Sequence, residues 1–338
     1  MKLGNFFCYT ILTTFLHWSL CSFTGHAQET GRETFPGREK WSAKEKPIGS
    51  LGADDYHFSL SHRGIIRKYN VHIPPGYDKN RSMPAVIYLH GGGGSIRSAY
   101  NDGIDKAAEK FGFILIIPNG TGPIPDRLLT WNGGKWDNEQ CCGYASDNNI
   151  DDVGFIAKMI EEVEFKFSVD KNRIYATGIS NGGLMSYRLA CELSNKIAAI
   201  APVASPATPS ACEPLRAISV MHIHGTADPC APFNGGNTGK CIGVRTYSAQ
   251  SVSTMVGAWQ KTDKCSANLE TIYQKGKAVC KRYTGCQDGS DVELCTVEGM
   301  GHVWPSGWQY FSAERIGPVS YDLSFDQIWD FFKSHPMK

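Results

Sequence analysis

The chain has 338 residues, 41% of them hydrophobic, and a formal net charge of +1. It is long enough to bury a large core and lacks the charge excess of a disordered polyelectrolyte. The near-neutral balance also argues against nucleic acid as the main partner.

Residues 1–27 open with one lysine, run through the apolar FFCYTILTTFL and end in TGHA, with the small residues Gly25 and Ala27 near the end. This is the pattern of an export signal cleaved after Ala27. The competing reading is an uncleaved anchor, because the apolar stretch is long and Lys2 alone makes a thin basic region. A lipidated Cys21 fits less well, since Leu20 is not the small residue that should precede it. Residues 28–55 are polar and aperiodic and read as a flexible lead-in. The folded domain is expected over 56–338, secreted or extracytoplasmic, with no stable membrane partner.

Apolar strand-like runs then alternate with helical ones: AVIYLH, GIDKAAEKFG, FILIIP, IDDVGFIAKMIEEVEFKF, RIYATG, NGGLMSYRLACEL, IAAIAPVA and ISVMHIHG. Several of these strands are apolar at nearly every position, as in a parallel sheet covered on both faces. The expected class is α/β, doubly wound and mostly parallel, in a single domain. SVSTMVGAWQ and SFDQIWDFFKSH supply further helices, and AVCKRYTGCQDGSDVELCTVEG reads as a hairpin around a Gly- and Asp-bearing turn.

Of the twelve cysteines, ten follow residue 27: Cys141, Cys142, Cys191, Cys212, Cys230, Cys241, Cys265, Cys280, Cys286 and Cys295. An even number in an exported chain reads as disulfides. A zinc site is disfavoured, because no CxxC is completed by a second CxxC or by a spaced His pair. Cys230 with Cys241, and Cys286 with Cys295 across the hairpin, are the expected partners. The vicinal Cys141 and Cys142 are expected to bond to different cysteines.

In RIYATGISNGGLMSYRLA a β run ends in Gly178-Ile179-Ser180-Asn181-Gly182 and a helical run follows. Small residues flanking a serine between strand and helix form a nucleophile elbow, which holds the hydroxyl exposed at the helix N-terminus. The alternative is an ordinary glycine-rich turn in which Ser180 caps the helix. A serine needs an imidazole to take its proton, and the imidazole needs a carboxylate to fix its tautomer. In this fold the acid and then the histidine follow the serine in the chain. Asp228, in the loop after a β run, and His302, in EGMGHVWPSG, occupy those places.

Other polar groups have quieter readings. His222 and His224 alternate on one strand and read as satisfied core histidines rather than metal ligands. His90 orders the loop at its strand end, and Asp151 and Asp152 open a helix as cap and dipole partner. The developing oxyanion of ester hydrolysis needs two backbone N–H donors. One is Asn181, next after the nucleophile, and the other belongs to HGGGG after the third strand. A phosphate loop would require Gly-Lys-Ser/Thr, whereas this one continues Ser95-Ile96-Arg97.

YLHGGGGS, IIPNGT, TWNGG, CCGYASDNNIDDVGFI, RIYATGISNGGLMSYRLAC, AAIAPVA, HIHGTADPCAPFNGG and GHVWP together resemble the secreted esterases of the polyhydroxybutyrate depolymerase and feruloyl esterase group. Acetyl xylan esterases of carbohydrate esterase family one look similar. The resemblance covers Tyr56 to the C-terminus. It implies an α/β-hydrolase fold, a triad of Ser180, Asp228 and His302, and oxyanion donors at Gly92 and Asn181, with Gly93 the nearest rival of Gly92. One departure is visible: where that group often has glycine directly after Trp-Pro, Ser306 intervenes here before Gly307. Trp131 and Trp304 lie near these loops and are candidates for stacking on an acyl group or sugar ring, or for packing.

The expected function is therefore a serine carboxylic ester hydrolase working through an acyl-enzyme, without cofactor or metal. Feruloyl or acetyl groups on plant polysaccharide are preferred, because polyester depolymerases commonly add a linker and binding domain that these residues do not show. A polyhydroxybutyrate depolymerase or a broad small-ester esterase is the alternative. A catalytically silent binding protein on the same scaffold is the reading from another class, and a peptidase is disfavoured. The oligomeric state is left open.

Overall fold

A computed structural model describes residues 55–136, 139–207, 212–237 and 248–338. The chain divides between Ser50 and Leu51, and all described residues fall in the second unit. The export signal, all of the lead-in except Asp55, and Cys241 lie outside them. No helix among the described residues is long and apolar enough to cross a membrane.

The main sheet has ten strands. They are β1 (Asp55–His62), β2 (Ile65–His72), β3 (Met83–Leu89), β4 (Ile114–Pro118) and β5 (Val169–Ile179), then β6 (Ala199–Val203), β7 (Ser219–Gly225), β8 (Leu269–Lys275), β9 (Ala278–Tyr283) and β10 (Val292–Val297). Their spatial order is β1-β2-β4-β3-β5-β6-β7-β10-β9-β8. Strands β4, β3, β5, β6, β7 and β10 run parallel, and antiparallel strands close both edges. Among the described residues, five helices of at least 8 residues cover it: α1 (Ile104–Phe111), α2 (Asp152–Lys166), α3 (Asn181–Glu192), α4 (Val252–Thr262) and α5 (Phe325–Ser334).

The parallel strands are buried at almost every residue, because helices pack on both faces. Side chains alternate between two cores. Ala85, Ile87 and Leu89 of β3 join Met159 of α2, Leu184 of α3 and Trp259 of α4 on one face. Val86 and Tyr88 join Ile104 of α1 and Trp329 of α5 on the other. The helix ends follow local rules. Gly103 and Gly112 bracket α1 in the left-handed conformation, and Ser324 with Gln327 forms a capping box on α5.

From β3 the chain crosses to β4 on one side and then returns to β5 on the other. This reversal opens a crevice beyond the carboxyl ends of β3 and β5, where ligands bind in open α/β sheets. The glycine loop follows β3 and Ser180 follows β5, so both emerge into that crevice.

Strands β1, β2 and β8 were not anticipated from the sequence. β1 and β8 are largely exposed edge strands with little apolar run to detect. Two cysteine expectations are corrected. Cys280, not Cys286, bonds Cys295, because the two stand directly opposite in the β9–β10 register. Cys286 instead reaches Cys265 beyond the end of α4, and Cys191 bonds Cys212. Cys141 and Cys142 bond to each other: the peptide between them is cis, which brings their Cα atoms to 3.0 Å.

Asp151 caps α2 by accepting from the Gly154 N–H at 3.0 Å. Asp152 does more than complement the helix dipole. It is fully buried, accepts from Arg67 at 2.6 Å and from the Asn132 N–H at 2.8 Å, and so ties β2 to the loop ahead of the crevice. Removing one partner of such a pair strands the other and costs about 3–5 kcal/mol.

Burial pushes Asp102, Asp263 and Glu293 each up to about 7. These carboxyls stay protonated in the folded protein where the unfolded chain would ionise them, from about pH 4 upward. Their contribution to stability is complete below that pH and is lost as pH rises toward 7. Asp228 has the opposite sign, but its effect lies below the unfolded carboxyl range. The urea midpoint should therefore fall between pH 5 and pH 8, and Asp263→Asn with Glu293→Gln should flatten that fall. An unchanged slope in the double variant would contradict the assignment.

Candidate active site

Strand β5 ends at Ile179 and α3 begins at Asn181, leaving Ser180 alone in the turn at φ 57 and ψ −121. A non-glycine residue at positive φ is strained, and it persists here because the surroundings force the turn. A Cβ at Gly178 or Gly182 would strike the Leu89 carbonyl oxygen, and one at Gly183 would strike the Ser205 hydroxyl. The small residues of the motif are therefore spatial requirements. Ser180 makes no side-chain capping bond to α3, so the capping alternative does not hold and its half-buried hydroxyl is left toward the crevice.

Asp228 sits in the loop after β7 and His302 in the loop after β10. The His302 Nδ1 lies 2.8 Å from Asp228 Oδ2, with both residues buried. The other carboxylate oxygen accepts the N–H groups of Cys230 and Ala231, each at 2.8 Å. Burial pushes the Asp228 carboxyl up, but His302 and the hydrogen bonds from His224 and His302 outweigh it and hold the group well below the usual carboxylate range. An ionised Asp228 fixes the proton of His302 on Nδ1, which leaves Nε2 able to accept one. The His302 carbonyl is held by the Tyr310 hydroxyl at 2.7 Å.

The glycines of the loop after β3 have different jobs. Gly93 sits at φ 82 and donates its N–H to the Leu129 carbonyl at 2.7 Å. A Cβ on Gly94 would come within 2.8 Å of Ser98 Oγ, and its N–H already bonds the Gly91 carbonyl. Gly92 is the member of the pair Gly92/Gly93 whose N–H has no backbone acceptor among the described residues, and a Cβ there would lie 3.7 Å from Asn181 Cβ. His90 orders the loop from below: its Nδ1 pairs with the Gly91 carbonyl at 2.8 Å, and its Nε2 accepts from the Gly120 N–H at 3.0 Å. Burial lowers its pKa to about 4, so it is neutral and cannot switch in the physiological range.

Asn181 is the first residue of α3, so its backbone N–H has no intrahelical acceptor. Its side chain clamps the backbone of Trp131, accepting from the N–H at 2.6 Å and donating to the carbonyl at 2.9 Å. Trp131 is fully buried, with its indole N–H on the His90 carbonyl at 3.0 Å. Trp304 is 2% exposed and packs edge-on against Tyr88. Both tryptophans are thus packing residues with no face left for a substrate. Trp308, four residues beyond Trp304 in the same loop, is 42% exposed, and the sequence had not singled it out.

Ser306 takes the left-handed conformation, φ 58, that glycine adopts more cheaply, and its hydroxyl bonds the Leu323 carbonyl at 2.7 Å. The strain of about 1–2 kcal/mol is offset locally, so the departure at this position leaves the His302 loop intact. For a metal, the one group of donors among the described residues is Asp228, Cys230 and His302. The Cys230 sulfur is committed to a disulfide, which leaves too few ligands for a tetrahedral site.

The phospholipase/carboxylesterase family matches residues 76–260, a span that includes Ser180 and Asp228 but ends before His302. Feruloyl esterase B of Piromyces equi is 30% identical over 72% of this chain, which spans 44% of that protein's length. A probable feruloyl esterase C of Aspergillus niger is 32% identical over 73% of this chain and 84% of its own. An acetyl xylan esterase from Aspergillus awamori has a similar fold, with TM-score 0.54, 12% identity and coverage of 82% of this chain and 99% of the other.

Asn181→Ala keeps the backbone donor but leaves both Trp131 backbone groups buried and unpaired. It should lower stability by about 2–4 kcal/mol and reduce kcat on a chromogenic acetate ester about tenfold. Unchanged values of both would show that the clamp does not position the site. The elbow, the paired acid and base, and the match over residues 76–260 lead to one conclusion: the chain belongs to the phospholipase/carboxylesterase family of α/β hydrolases.

Proposed function

We propose that this carboxylic ester hydrolase uses Ser180 as nucleophile, His302 as base and Asp228 as its orienting acid, and that it releases feruloyl or acetyl groups from plant cell-wall polysaccharide. The observation that carries the catalytic part is the buried Asp228–His302 pair at 2.8 Å, at the same carboxyl end of the parallel strands as a serine held at φ 57. The relatives named as feruloyl esterases support the substrate part.

The reaction follows from the atoms. His302 Nε2 takes the proton of Ser180 Oγ as the oxygen bonds the ester carbonyl carbon. The charge that develops on the carbonyl oxygen meets the N–H groups of Gly92 and Asn181, each such donor being worth about 3 kcal/mol. The intermediate collapses with cleavage of the bond to the alcohol, which leaves with the proton from His302. Water, deprotonated by His302, then attacks the acyl carbon, and Ser180 Oγ recovers the proton as the acid departs.

Trp308 offers the exposed ring against which an aromatic acyl group or sugar can stack. The disulfides described above fit an oxidising compartment, and we place the protein outside the cytoplasm.

Ser180→Ala and His302→Ala should each lower kcat on p-nitrophenyl acetate by at least about a thousandfold with the fold intact by circular dichroism. Rates equal to wild type would sink the triad. On methyl ferulate, acetylated xylan and polyhydroxybutyrate film, the first two should turn over far faster than the third. A preference for the film would overturn the polysaccharide reading while leaving the triad standing.

A further inference from the structure

β7 carries His222 and His224 at alternate positions, so both project to the same face of the sheet, and both are fully buried. The Tyr187 hydroxyl of α3 lies 2.8 Å from His222 Nδ1. His222 Nε2 lies 3.0 Å from His224 Nδ1. His224 Nε2 lies 2.8 Å from the Ala231 carbonyl and 3.4 Å from Asp228 Oδ2, the oxygen that also faces His302. Four buried side chains thus form an unbroken line that ends on the acid of the proposed triad.

The line has a direction. A carbonyl and a carboxylate only accept, so the proton on His224 sits at Nε2. Burial holds His222 neutral, its pKa well below the ordinary value, with His224 beside it adding to the effect. The neutral arrangement then requires His222 to donate from Nε2 to His224 Nδ1 and to accept at Nδ1. The hydroxyl of Tyr187 supplies that last donor. Met255 Sδ, 3.3 Å from the same hydroxyl, is a weaker acceptor than the imidazole nitrogen. Every donor therefore points toward Asp228, and no group in the line is exposed to water.

We propose that His224 is a positioning residue for Asp228, kept in one tautomer by Tyr187 and His222, and that it sets how strongly Asp228 draws the proton of His302. The proposal rests on the triad reading given above. Two backbone N–H groups hold one oxygen of Asp228; on the other, His224 shares the charge that would otherwise face His302 alone. Taking that donor away concentrates negative charge on the oxygen beside His302 and stabilises the imidazolium. His302 must be unprotonated at Nε2 to act, so the acidic limb of the kcat/KM profile then moves to higher pH.

The test is the pH profile of kcat/KM on p-nitrophenyl acetate for wild type, His224→Phe, His224→Gln and Tyr187→Phe. Concentrations are corrected by active-site titration, and Ser180→Ala is run alongside. His224→Phe should raise the limb by about half a pH unit and lower kcat about tenfold with little change in KM. The glutamine amide can place an N–H where Nε2 stood, so His224→Gln should keep the wild-type limb. Tyr187→Phe keeps the ring and removes only the donor, so it should give a smaller shift of the same sign. If His224→Phe does not fold, Tyr187→Phe decides alone. A merely structural role would lower the titrated fraction and the urea midpoint and leave the limb in place. The proposal is overturned by a limb unmoved in both phenylalanine variants that fold, or moved equally by phenylalanine and glutamine. Activity surviving in Ser180→Ala would instead refute the triad on which it rests.

Discussion

The close approach of two backbones governs the rest of the molecule. The turn that carries Ser180 lies against the carbonyl groups of Leu89 and His90 at the end of β3, so close that Gly178 and Gly182 cannot bear a side chain. β3 and β5 are adjacent parallel strands at the reversal of strand order. The loop leaving β3 and the helix leaving β5 therefore have to share one crevice. A serine forced to φ 57 there presents its hydroxyl to the crevice instead of its own helix, and the glycine loop passes within contact of Asn181. In the proposed reaction, the geometry of attack and the geometry of charge stabilisation have the same source.

Loops are the weak part of such a design, because nothing in a sheet fixes their direction. Here these loops are pinned by polar side chains, most of them buried. His90 joins the glycine loop to Gly120, Asn181 clamps Trp131, Asp152 takes Arg67 and Asn132 together, and Tyr310 holds the His302 carbonyl. A pinned loop cannot relax cheaply, since an unmatched buried donor or acceptor costs about 1–3 kcal/mol. The network therefore gives direction more than net stability.

The candidate site was legible where it depends on order along the chain. A strand-turn-helix with Gly178, Ser180 and Gly182, followed by Asp228 and then His302 in loops after strands, suffices to place the pair seen at 2.8 Å. Parallel strands were legible for the same reason, being apolar throughout. What depends on distant residues was not. β1 and β8 are exposed edges without a strong pattern. Cysteine partners are set by register and loop path, so Cys280 rather than Cys286 meets Cys295. Trp131 and Trp304 sit beside the right loops, yet their burial is decided by the sheet below them. His222 and His224 were rightly placed in the core by period two, but their link to Asp228 appears only when the loop turns back.

A serine-directed fluorophosphonate tests the central claim most directly, because it reports the activated hydroxyl without reference to any natural substrate. Intact mass and peptide mapping should show one adduct per chain, on Ser180, and labelling of His302→Ala should be slower by orders of magnitude. An adduct on another residue, or labelling of Ser180 that is indifferent to His302, would contradict the account.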